Sequence, residues 1–77
     1  MPTVEVYAQK SCEACRTEVP RIVHEAKALG IDVRIIDIDT CPVNRENTCS
    51  NIEVVPTLMY QGKEIGLSDL KRIAERR

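Results

Sequence analysis

Tryptophan and phenylalanine are missing from this chain, and Tyr7 and Tyr60 are its only aromatic residues. A core without large rings must be aliphatic, filled by Val, Ile, Leu and Ala. A dominant sign of charge is lacking too. Eleven Lys and Arg stand against twelve Asp and Glu, interspersed along the chain. That gives no electrostatic basis for holding nucleic acid or an anionic membrane. The basic end, Lys71-Arg72 and Arg76-Arg77, complements the dipole of a closing helix. No apolar run approaches bilayer-spanning length. Met1-Pro2-Thr3 leads directly into a strand-like run with no basic n-region, so no secretory signal and a cytoplasmic location are expected. Linkers, repeats and low-complexity segments are absent as well. The expectation is a single domain over 1–77, near the lower size limit at which a core alone stabilises a fold.

Against this plain background stand four cysteines. In a cytoplasmic chain disulfides are mostly transient and catalytic, which directs attention to redox or metal chemistry. Cys12-Glu13-Ala14-Cys15 follows an alternating stretch (Val4, Val6, Ala8) and opens a helical one. At a helix N-terminus the unpaired N–H groups and the dipole favour the thiolate of the first cysteine. Two thiols at this spacing can share a disulfide and exchange two electrons by thiol–disulfide exchange.

Alternation predicts a strand over 3–8. Val19, Ile22, Val23, Ala26 and Leu29 recur at helical spacing, predicting a helix over 13–29 that Gly30 stops and Pro20 interrupts. Residues 31–38 read as a second strand, and the apolar run from Val33 to Ile38 suits one covered on both faces. Strand, helix, strand makes a right-handed parallel βαβ unit. The polar stretch 42–51 is left between a short helix and an irregular loop. Residues 54–60 form a third strand interrupted by Pro56. Residues 61–64 turn it into a fourth strand at 64–66, and Ser68 caps a final helix with Leu70, Ile73 and Ala74 inward. The fold class is α/β, in the order β-α-β-(α)-β-β-α, with a four-stranded mixed sheet flanked by helices.

That order and three local motifs resemble the thioredoxin/glutaredoxin superfamily in its minimal form, over nearly the whole chain. The motifs are Val4-Glu5-Val6-Tyr7 followed by Cys12-x-x-Cys15, then Val55-Pro56-Thr57 before the third strand. The last is Gly62-Lys63 with Gly66-Leu67-Ser68-Asp69-Leu70. Pro20 matches a kink proline found in the first helix of many thioredoxins. The resemblance implies a dithiol–disulfide oxidoreductase that reduces protein disulfides. Cys12 is then the attacking thiolate and Cys15 the resolving thiol. Pro56, in cis, presents the backbone of Val55, beside Thr57, to an extended substrate segment. Lys10, Ser68 and Asp69 stand where glutathione would bind, although Leu67 replaces a glycine there and Ser68 and Asp69 also read as a helix cap. No resident cofactor is expected, with glutathione as a candidate co-substrate. The expected partners of this monomer are protein disulfides and, as electron source, a flavoprotein disulfide reductase or glutathione. The buried acid often found six residues before the first cysteine is Val6 here; Asp37 is a candidate substitute, although Asp37 and Asp39 also match an ordinary strand end. Glu13 sets a negative charge against the thiolate, which favours a reducing couple.

His24 reads as a solvated surface residue. For Cys41 and Cys49 three states stay open: a bridge, two free thiols, or a metal-linked or relay role. A regular helix over 42–49 would separate them by about 12 Å, beyond disulfide reach. Two rivals use the same cysteines. A soft-metal carrier has a comparable early Cys-x-x-Cys but ends in a strand, whereas this chain ends in a helical pattern. A four-cysteine zinc or iron–sulfur module needs a second knuckle, and Cys41 and Cys49 lack that spacing.

Overall fold

A computed structural model of the chain describes residues 2–75; Met1, Arg76 and Arg77 lie outside them, and with them half of the basic C-terminal cluster. Strand β1 (Thr3–Ala8) leads into helix α1 (Glu13–Ala28) and strand β2 (Asp32–Asp37). Two short 3-10 turns (Ile38–Thr40 and Val43–Arg45) and a single helical turn, α2 (Glu46–Ser50), follow. Strands β3 (Thr57–Tyr60) and β4 (Lys63–Ile65) and helix α3 (Asp69–Glu75) complete the order. The sheet runs β2-β1-β3-β4, with β1 and β2 parallel and the other two pairs antiparallel.

Alternation along β1 divides the molecule into two faces. Val4 and Val6, fully buried, join Leu58 of β3 beneath α1 and α3. Ile22 and Ala26 of α1, Ile31, and Leu70 and Ile73 of α3 close this aliphatic core. Helix α1 stops where Gly30 takes φ 74°, a left-handed conformation that suits glycine. The Gly30 N–H then donates to Lys27 O at 3.1 Å and Ile31 N–H to Ala26 O at 2.9 Å, the Schellman pattern. Pro20 sits exposed within the helix.

The second face carries Glu5 and Tyr7, and its cover is the 38–50 segment rather than a long helix. Tyr7 is fully buried there and donates to Glu5 Oε1 at 2.8 Å. Arg45, from the second 3-10 turn, donates through Nε and Nη2 to Glu5 Oε2, both at 2.8 Å.

Three expectations need correction. The second strand lies at the sheet edge beside β1 and is not covered on both faces, since Ile36 is buried but Ile35 is 55% exposed. The third strand begins at Thr57, after Pro56, and the fourth spans Lys63–Ile65. At the final helix the side-chain hydrogen bond comes from Asp69 rather than Ser68. Its Oδ2 accepts from Gly66 N–H at 2.8 Å, in the turn that leads into the helix. The 42–51 stretch, left open between a short helix and an irregular loop, holds a 3-10 turn followed by the short helix α2. Pro42 is extended (φ −59°, ψ 148°), which holds Cys41 off the helical turn that follows.

Candidate active site

The Cys12-x-x-Cys15 pair sits where β1 hands over to α1. Cys12 is the N-cap of α1, in extended conformation, and its Sγ accepts the Cys15 N–H at 3.0 Å. A sulfur in this position satisfies one of the orphan donors of the helix start. On its other side the Cys12 thiol donates to Val55 O at 3.6 Å. The Val55–Pro56 peptide bond is cis, and Thr57 Oγ1 donates to Val54 O. The Val-Pro-Thr segment, distant in sequence, thus faces the first cysteine.

Cys15 is buried at 6% exposure, and the reason is helical periodicity. Cys15, Val19, Ile22, Ala26 and Leu29 form one stripe along α1, so Cys15 adds a turn to the core-facing side. Burial pushes its thiol above the ordinary value, and hydrogen bonding to Cys12 adds to this, while the Gln9 backbone pulls the other way. The site thus pairs a half-buried, helix-capping sulfur with a buried thiol that holds its proton.

A groove of about 250 Å³ runs beside both cysteines, with Ala8, Val19 and Ile35 as its apolar lining and Lys10 and Asp37 at its margins. Asp37 also accepts the Asp39 N–H at 2.8 Å, so it caps the first 3-10 turn while bordering the groove. Gln9 Nε2 donates to Asp39 Oδ1 at 3.1 Å and ties the ends of β1 and β2 together. Ser68 and Asp69 line no part of this groove, and Asp69 is engaged with Gly66 and, at 3.6 Å, with Arg72. His24 is exposed on α1.

Cys41 and Cys49 are bonded to each other, with Cα atoms 6.5 Å apart. The bend at Pro42 shortens the helical path that would have kept them apart. Among the described residues no three His, Cys, Asp or Glu side chains gather as a metal centre requires. Two features of the molecule were missed in the sequence, one beside the cysteines and one on the other face of the sheet. The exposed Ile35 is visible only once β2 is known to be an edge. The Arg45–Glu5–Tyr7 cluster joins residues far apart in the chain, and its one sequence signal was Glu5 and Tyr7 sharing a strand face.

No family model matches the sequence, and no curated protein matches it at significant similarity. Solved structures do. Thioredoxin O1 from Arabidopsis thaliana, in its oxidised state, is 30% identical with a TM-score of 0.65, over 99% of this chain and 77% of that one. The chain belongs to the thioredoxin/glutaredoxin superfamily. The thioredoxin fold recurs in thioredoxin 1 from Thermosipho africanus, at 23% identity and TM-score 0.69, over 96% of this chain and 91% of that one. It recurs again in Arabidopsis thioredoxin O2, at 22% identity and TM-score 0.63, over 99% of this chain and 74% of that one. Membership in this superfamily, with cysteines at disulfide distance, supports a role of the thiol–disulfide oxidoreductase kind.

Proposed function

We propose that this chain reduces protein disulfides, with Cys12 as nucleophile and Cys15 as resolving thiol. The observation that carries the proposal is the position of Cys12 Sγ, 3.0 Å from the Cys15 N–H at the start of α1 and 3.6 Å from Val55 O. The Cys12 thiolate attacks one sulfur of a substrate disulfide and releases the other as a thiolate. This leaves a mixed disulfide on Cys12. Cys15 then gives up its proton and attacks Cys12 Sγ, releasing the second substrate thiolate and closing the Cys12–Cys15 disulfide. Two electrons pass from the chain to the substrate. A thiol held in its protonated form stays out of the first step, and the new disulfide beside it starts the second.

In this reading Val55, Pro56 and Thr57 form the wall against which a substrate segment lies, and Lys10 stands at the rim of the apolar groove. The Cys12–Cys15 disulfide is returned to the dithiol by a flavoprotein disulfide reductase or by glutathione, and a cytoplasmic monomer is the setting in which such a couple works.

An insulin-reduction assay run in parallel with a thioredoxin reductase system and with glutathione tests this and tells the electron sources apart. Turnover is expected with one source and lost in Cys12→Ser; turnover retained in that variant overturns the mechanism. In Cys15→Ser a mixed disulfide with substrate is expected to accumulate, visible as an adduct by mass spectrometry.

A further inference from the structure

On the α1 face of the sheet the cover over the edge strand gives out part-way. Val33 of β2 still packs against the aliphatic core. Two residues on, Ile35 is 55% exposed, although its register partner Val6 is fully buried. The corner left open is the groove beside the cysteines, lined by Ala8 from β1, Val19 from α1 and Ile35 from β2.

Size, polarity and position say what fits there. At about 250 Å³ the groove is smaller than the roughly 300 Å³ at which sites for whole small molecules begin, and it suits a side chain. The surface facing it is almost entirely apolar. The charged residues at its margins, Lys10, Arg16 and Asp37, are of mixed sign, so it has no net preference for an anion or a cation. Cys12 and Cys15 both line it, so an occupant lies against the reacting sulfurs.

Strand order gives the occupant a direction. At this end of the sheet β1 lies between its neighbours, with Ala8 opposite Asp37 of β2 and Tyr7 opposite Thr57 of β3. Cys12 follows β1, and its Sγ contacts Val55 O on the β3 side. The groove opens on the β2 side. A peptide joined to Cys12 through sulfur therefore has Val-Pro-Thr on one flank and the groove on the other.

We propose that this groove is a specificity subsite for an aliphatic side chain next to the cysteine of the substrate disulfide. The inference rests on the disulfide-reducing reading of Cys12 and Cys15, and it narrows the substrate class to polypeptide disulfides with an aliphatic neighbour. In the mixed disulfide the substrate sulfur is bonded to Cys12 Sγ, and the neighbouring side chain lies against Ile35 and Val19. It leaves with the substrate thiolate when Cys15 attacks Cys12 and closes the Cys12–Cys15 disulfide.

The disulfide dimers of Ac-Leu-Cys-Leu-amide and Ac-Ser-Cys-Ser-amide test this as substrates of the full chain, with the electron source that sustains insulin reduction. Each kcat/KM is divided by the rate of the same dimer with dithiothreitol, which removes its intrinsic reactivity. The leucine dimer is expected to be favoured about tenfold. Ile35→Ser should lower that ratio to about threefold or less, and a ratio taken within one variant is independent of how much of it is folded. Val43→Ser removes a side chain that is 87% exposed and lies outside the groove, and it should keep the ratio of the parent. A ratio near one in the parent, a ratio that survives Ile35→Ser, or one that Val43→Ser lowers equally overturns the subsite and leaves the thiol chemistry standing. Turnover of neither dimer, with no insulin reduction, overturns the thiol reading and the subsite with it.

Discussion

Burial of Cys15 decides the order of events at the thiols. Its place in the α1 stripe raises the thiol above its ordinary value, so near neutral pH it is almost wholly protonated. Alkylation by iodoacetamide reads this directly. At pH 7 the single reactive thiol of Cys12→Ala should react at least about tenfold more slowly than that of Cys15→Ala. Its rate should climb about tenfold per pH unit up to the thiol's own value. Equal rates would mean that Cys15 is exposed. On the other face Glu5 behaves in the opposite sense. Burial alone would raise its carboxyl, but hydrogen bonds from Arg45 and Tyr7 and the charges of Arg45 and Arg34 outweigh it and the net shift is downward. A carboxyl lower in the folded than in the unfolded state stabilises the fold above its ordinary value of 4.5 and loses that contribution as pH falls through the folded value. Glu5→Gln should therefore be less stable than the parent in urea at pH 7, and the gap should narrow as pH falls below 4.5.

Among the elements, those with a strong internal period were legible in the sequence. The alternation of β1 and the heptad-like stripe of α1 are local patterns, and so is the Gly30 stop. The Cys-x-x-Cys and Val-Pro-Thr motifs placed both halves of the candidate site in the same way. What the sequence did not reveal depends on which element lies beside which. The run Val33–Ile38 reads as doubly covered, yet strand order puts it at an edge, where Ile36 is buried and Ile35 is not. Ser68 and Asp69 are both good helix-start residues, and only the Gly66 turn decides that Asp69 makes the bond. The 41–49 loop is the element whose stability rests most on covalent closure. Replacing Cys41 and Cys49 together by Ser should cost about 2–3 kcal/mol by the loop-entropy relation, read from the urea midpoint, while Cys12 remains competent in insulin reduction. At the other end of the molecule, Leu70 anchors α3 at 0% exposure. Leu70→Ala should cost about 3 kcal/mol, seen as a lower thermal midpoint. In a chain this small that is a large share of the total stability.

At the scale of the whole molecule, the two faces of one sheet are secured by unlike forces. Beneath α1 and α3 the contacts are aliphatic, with no ionic group buried among the described residues. Beneath the 38–50 segment they are an ion pair, a tyrosine hydroxyl and a disulfide. Salt and acid act on the ion pair, and a reductant acts on the disulfide; none of them weakens the aliphatic side much. A low-pH solution with a phosphine reductant should therefore loosen the 38–50 segment first. Amide exchange would rise across 41–50 while the protected amides of α1 keep their rate, and loss of both together would show that the layers unfold as one. The sheet then works as a partition wall between two rooms with separate locks: the conditions that open one leave the other shut.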